Sequence, residues 1–172
     1  MKRLSLLIVL SIFFFIFSCK KSEYDSLSSF KALKDGAEWI ATSNYSYLHK
    51  TDNSISIYGR KKNSKNYEEE GLYLSFYISD ISELNTITKF SSSWNKTIGG
   101  DLLTDSYVID SISANFIQIT SLDTINRQIS GIFEVKLLKD KRFSNAGEIM
   151  NFTSGQFNLN YQEEFLYNSK SK

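Results

Sequence analysis

A chain of 172 residues, 41% hydrophobic and 23% charged, carries enough apolar side chains for one packed domain and too little length for two of ordinary size. Twenty basic against nineteen acidic side chains, with no basic stripe, exclude nucleic acid as a partner class. A single cysteine excludes an internal disulfide, so stability must come from packing.

The first element is an N-terminal run. Lys2 and Arg3 precede Leu4 to Phe17, apolar except for Ser5 and Ser11, and Ile16-Phe17-Ser18-Cys19 closes it. Fourteen positions are too few for a transmembrane helix, which needs about 20 apolar residues. A run apolar on every side also offers no single face to a core. The layout is that of a secretory signal. It resembles a bacterial lipoprotein signal, with residues 1–18 removed and Cys19 first in the mature chain. Ile16 and Ser18 fit that pattern, while Phe17 departs from the small residue common between them. The resemblance implies a diacylglycerol on the Cys19 thiol and a further acyl chain on its amino group, and two or more chains anchor stably. The expected partner is therefore membrane lipid. The expected location is the cell envelope, as a lipid anchor of the outer membrane facing the periplasm or the surface.

Residues 19–29 are polar and Ser-rich and read as a flexible tether. A single all-β domain is expected over residues 30–167, with 168–172 frayed. Phe30–Lys34 and Ala37–Ala41 flank Asp35-Gly36, which predicts a hairpin with a type I′ turn. Asn44–Lys50 places Tyr45, Tyr47 and His49 on one side of a strand. Thr51-Asp52-Asn53 is turn chemistry, and Ile55–Gly59 alternates with period two. Arg60 to Glu70, four cations and then three glutamates, reads as a solvated loop. Leu72–Ile78 is a strong strand with Leu72, Leu74, Phe76 and Ile78 inward and Tyr73 and Tyr77 outward. Asp80–Leu84 predicts one turn of helix, Thr86–Phe90 a weak strand, and Ser91–Leu103 a long loop. Ser106–Ile112 and Asn115–Ser121 are further strands. Gln128–Leu138 alternates cleanly except at Ile132, and Gly155–Tyr161 alternates as well.

Beyond the signal, no stretch holds apolar residues at helical spacing for ten positions. The fold class is all-β: an antiparallel β-sandwich or a closed β-barrel of about eight to ten strands. With no proline, strand edges must be protected by charge, by closure, or by bulges such as one at Gly131.

Three pieces together resemble a family of Bacteroidota lipoproteins of unknown function. They are Phe30-Lys31-Ala32 to Gly36-Ala37-Glu38-Trp39-Ile40-Ala41, then Ile129-Ser130-Gly131-Ile132-Phe133, then Thr153-Ser154-Gly155-Gln156-Phe157. Asp35, Ile132 and Ser154 depart from the family's usual Asn, Thr and Asn. The resemblance implies an all-β extracytoplasmic domain and carries no catalytic residue or ligand with it. Physically, Gly36 serves a turn, Gly131 admits a close backbone or ring, and Trp39 and Phe133 belong to the core.

One histidine and scattered carboxylates supply no transition-metal cluster, and Asp101, Asp105 and Asp110 lack the alternation of a calcium loop. No cofactor is implied. No Gly-x-Ser-x-Gly occurs, and His49 reads as a surface or sheet-packing residue. Glu38, Glu134, Glu148, Glu163 and Glu164 offer carboxylates, with no spacing that pairs any two for glycoside hydrolysis. An enzyme is the minority reading. Aromatic content is the remaining feature: Tyr45, Tyr47, Tyr73 and Tyr77 first read as residues that favour strands and pair across them, and form a platform for sugar rings or a protein if their strands are neighbours. Bacteroidota exported proteins carry O-glycans at Asp-Ser/Thr-apolar tripeptides, which makes Ser26 and Thr124 candidate acceptors. The expected function is a non-enzymatic binding or envelope-assembly lipoprotein with a protein or glycan partner. The alternatives are a ligand-binding β-barrel or sandwich for glycans or small apolar molecules, and a hydrolase with an unrecognised site.

Overall fold

The computed structural model describes residues 28–63, 65, 67–79, 86–142 and 147–164. The signal, Cys19, Ser26, the helical turn expected at 80–84 and the tail 168–172 lie outside the described residues. Asp35 and Gly36 adopt φ of 49° and 82° and join β1 (Ser29–Lys34) to β2 (Ala37–Ile40), the I′ geometry that Asp-Gly supplies at little cost. The remaining strands are β3 (Ser43–His49), β4 (Ser54–Asn63), β5 (Glu68–Tyr77), β6 (Thr86–Ile87), β7 (Ser91–Ile98), β8 (Leu102–Ile109), β9 (Phe116–Asp123), β10 (Gln128–Lys139), β11 (Ile149–Asn160) and β12 (Gln162–Glu164). Among the described residues no helix is long and apolar enough to cross a membrane.

The strands form one open mixed sheet in the order β12-β3-β4-β5-β7-β8-β10-β11-β1-β2, with β9 on the other part of β10 and β6 on β9. The expectation of a closed barrel is therefore corrected. The strands at the two ends of the path, β2 and β12, are stubs of four and three residues. The chain turns corners at 41–42, where Ala41 N–H donates to Phe30 and Thr42 N–H to Arg60, and again at buried Tyr161. The second corner sends β12 alongside β3 in parallel, so the sheet is not purely antiparallel. Among the described residues the stubs β2, β6 and β12 also take the count to twelve, above the expected eight to ten.

Two segments expected as loops are strands. Arg60–Asn63 and Glu68–Glu70 are the arms of the β4–β5 hairpin, with Lys61 opposite Glu70 and Lys62 opposite Glu69. Ser91–Ile98 is β7, with Trp94 buried.

The sheet curls so that inward side chains from its two halves meet. Phe30 of β1 packs edge-on to Trp39 at 5.8 Å, tilts against Phe133 at 5.3 Å, and lies over Gly59 of β4. Phe157 covers Gly131 and Phe133 covers Gly155, in register on β10 and β11. The pairing of β10 with β9 shifts between Ser130 and Gly131, the irregularity expected there. Towards the β4–β5 turn the inward positions become charged. Glu70 Oε2 accepts from Lys34 Nζ at 2.5 Å and from Trp39 Nε1 at 3.0 Å, and Lys96 pairs with Glu68 at 2.9 Å.

One edge of β10 is shared: β9 pairs with its first part, ending at Glu134, and β8 with its last, beginning at Leu137. Residues 110–115 fill the seam. Lys136 N–H donates to Asn115 Oδ1 at 2.7 Å, and Lys136 C=O accepts from Asp110 N–H at 2.9 Å. The Asp110 carboxyl is held below the usual aspartate range, first by the Ser113 hydroxyl and then, against the opposing effect of burial, by the Ile112 N–H and the Lys136 ammonium. A depressed folded-state pKa adds stability above the ordinary aspartate value of about 3.9, lost as pH falls through the folded value. Asp110→Asn is therefore expected to lower the Tm at pH 7, with the gap to the wild type closing below pH ~4. Thermal melts across that range check this, and a gap that persists in acid overturns it.

Candidate functional site

Outward side chains of β3, β4 and β5 alternate with the core residues and converge on one exposed face. Register places Tyr45 opposite Tyr58, Tyr47 opposite Ser56, and Tyr58 opposite Tyr73. β3 and β5 are thus not neighbours, as a direct platform would need; β4 lies between them and contributes Tyr58, Ser56 and Arg60. Tyr45 and Tyr58 stack with centroids 6.5 Å apart, and the Arg60 guanidinium sits about 6 Å from both rings. Gly71 leaves room for the Tyr58 ring, whose hydroxyl occupies the space a side chain there would take.

Small residues beneath large ones make a hollow. Tyr45, Tyr47, His49, Tyr58, Arg60 and Tyr73 surround Ser56 in a shallow concavity of about 400 Å³. Ser56 lies at its floor, 8% exposed. Tyr77 is not part of it and stands further along β5, opposite Ser54.

A chain of hydrogen bonds crosses the floor. His49 Nε2 is 2.9 Å from Ser56 Oγ, and His49 Nδ1 is 3.0 Å from Glu164 Oε2. Tyr73 Oη is 2.9 Å from Ser56 Oγ on the other side. The sequence reading put His49 among tyrosines on a sheet, and there it stands. It missed the partners. Glu164 comes from β12, which reaches His49 only through the parallel pairing, whereas Ser56 is on the adjoining arm of the β3–β4 hairpin.

The other candidates fall elsewhere. Thr124 is exposed in the turn after β9, where the Asp123 carboxylate accepts from the Ile125 and Asn126 N–H groups. Asp105 stands in β8 opposite Lys96, and Asp101 in the preceding turn. Among the described residues no three His, Cys, Asp or Glu side chains group to hold a metal ion. Glu163 pairs with Lys50 at 2.9 Å, and that bond holds its carboxyl below the usual range.

No family model matches the chain, and no match is found among the curated proteins or the solved structures.

Proposed function

We propose that this chain is a lipid-anchored envelope protein whose β domain binds carbohydrate in the hollow on β3, β4 and β5. The observation that carries the reading is four tyrosines and Arg60 ringing a shallow, exposed concavity. The apolar C–H face of a pyranose stacks on a tyrosine ring, and its hydroxyls meet the arginine and phenol groups at the edge. An oligosaccharide array followed by calorimetry tests it. Tyr45→Ala and Tyr58→Ala are each expected to weaken binding by about tenfold, since a ring–ring contact contributes about 0.5–1.5 kcal/mol beyond its area. Capture of no oligosaccharide, or unchanged affinity in both variants, overturns it.

The anchor rests on Lys2, Arg3, the apolar run and Cys19. Cys19→Ser is expected to move the protein from the detergent phase to the aqueous phase; retention in detergent counts against the anchor. Membership of the Bacteroidota family rests on the motif residues 30–32 to 36–41, 129–133 and 153–157 alone. The sandwich reading of the curled sheet is supported by contacts across the core, Phe30 on Gly59 and Trp39 to Glu70.

A protein contact in an envelope assembly is the second reading. Val108, Leu138 and Ile149 are 48%, 40% and 46% exposed and lie side by side across β8, β10 and β11, an apolar row facing outward.

A further inference from the structure

We propose that Ser56 is a nucleophile for acyl transfer, and that the hollow cleaves small O-acyl esters, acetyl groups above all, from the sugar it binds. The inference deepens the carbohydrate reading and rests on it for the substrate class. The observation that carries it is the order of groups across the floor: Glu164, His49, Ser56, Tyr73.

A neutral His49 sets the bond directions that the chemistry needs. A carboxylate accepts only, so His49 Nδ1 carries the proton and donates to Glu164. Its Nε2 is then an acceptor for the Ser56 hydroxyl at 2.9 Å. In that arrangement Ser56 Oγ accepts from Tyr73 O–H at 2.9 Å, with Ser75 Oγ 3.4 Å away on its other side. This is the arrangement in which a base is oriented by a third group and activates a hydroxyl.

The chemistry balances with water as the only co-reactant. Ser56 Oγ forms a bond to the ester carbonyl carbon while its proton passes to His49 Nε2. The C–O bond to the sugar breaks and the sugar oxygen takes that proton, leaving an acyl-Ser56. Water then gives a proton to His49, attacks the acyl carbon and releases the carboxylic acid, and Ser56 Oγ recovers the proton. Strand β4 pairs on both sides, with β3 and β5, so the oxyanion must be met by a side chain rather than by a peptide N–H. The Tyr73 hydroxyl is the donor beside the nucleophile. Glu164 is a positioning residue.

The full chain is treated with a fluorophosphonate and digested, and turnover of p-nitrophenyl acetate is followed separately. The expected result is one phosphonyl adduct on Ser56 and ester cleavage above the buffer rate. Ser56→Ala and His49→Ala are each expected to lose at least about 100-fold of that rate. Glu164→Gln is expected to lower kcat with KM unchanged, a split that a packing role does not produce. Absence of an adduct on Ser56 of the wild-type chain overturns the proposal without depending on any variant. Cleavage undiminished in Ser56→Ala does the same. The two readings fail separately: oligosaccharide binding without labelling of Ser56 removes only the nucleophile, and labelling without oligosaccharide binding removes only the sugar.

Discussion

Gly59→Ala is expected to lower stability by about 3 kcal/mol, at the upper end of the usual cost of overpacking a core. The Cβ would lie 1.8 Å from Cδ1 and 2.4 Å from Cε1 of Phe30, on the inward face of β4. That ring has no room to retreat. It stands T-shaped to Trp39, lies tilted at 36° against Phe133, and is 1% exposed. The contrast with two other glycines isolates the mechanism. A Cβ at Gly36 meets nothing within 4 Å, so substitution there costs only the strain of its φ of 82°. At Gly71 it meets the hydroxyl end of Tyr58, a side chain on the exposed face that can swing away. Urea denaturation measures the difference, with the midpoint falling and the slope unchanged. Phe30→Leu trims the ring, so the Gly59→Ala/Phe30→Leu pair is expected to be less destabilised than the two single changes added together. Simple additivity of the pair, or a loss under about 1 kcal/mol for Gly59→Ala, removes this account of how β1 closes over β4.

The same position shows where reading a sequence stops. Ile55 to Gly59 alternates, so that part of β4 was legible, but nothing local says that a ring from β1 rests on Gly59. Strands β5 and β10 and the turn at Asp35-Gly36 were legible because their signals are local: a period of two and a residue pair that tolerates positive φ. β7 was not. Its inward side chains include Ser92, Trp94 and Lys96 and its outward ones Ser91, Ser93 and Asn95, which leaves no hydrophobic alternation to read. Pairing with β5 on one side and β8 on the other makes it a strand. The charged run from Arg60 to Glu70 failed for a related reason, since opposite charges facing each other across a hairpin look in one dimension like a solvated loop.

The candidate site divides in the same way. Tyr45, Tyr47 and His49 on one face followed from alternation alone. The turn at Thr51-Asp52-Asn53 folds β4 back on β3, and that register brings Ser56 within reach of His49, a pairing local enough to have been found. Glu164 was out of reach. Its position depends on the corner at Tyr161 and on a parallel pairing between segments distant in the chain.

Asn115→Leu is expected to cost about 2–3 kcal/mol, because it leaves the Lys136 N–H without its partner and removes two further side-chain bonds at the seam. Asn115 is 6% exposed. Its Nδ2 donates to Asp110 C=O at 2.6 Å and to Ser113 C=O at 3.2 Å, while Oδ1 accepts from Lys136 N–H at 2.7 Å. The side chain therefore does at this seam what a neighbouring strand does elsewhere along β10, where β9 has stopped and β8 has not begun. Leucine matches the volume and supplies none of those bonds, leaving Lys136 N–H unsatisfied at a cost of about 1–3 kcal/mol, while Asp110 C=O keeps the Ser113 N–H and Ser113 C=O the Asn115 N–H. Ser113→Ala is the milder control: it removes one hydroxyl bond to the Asp110 carboxylate, at 2.6 Å, and is expected to cost about 1 kcal/mol. Hydrogen exchange supplies the local readout. In the wild type the Lys136 amide is expected to exchange as slowly as those of Phe133 and Leu137, and in Asn115→Leu to exchange faster than either. If that amide stays protected in the variant, a neighbouring group has taken over the bond, and β10 does not depend on Asn115 to cross from one partner strand to the other.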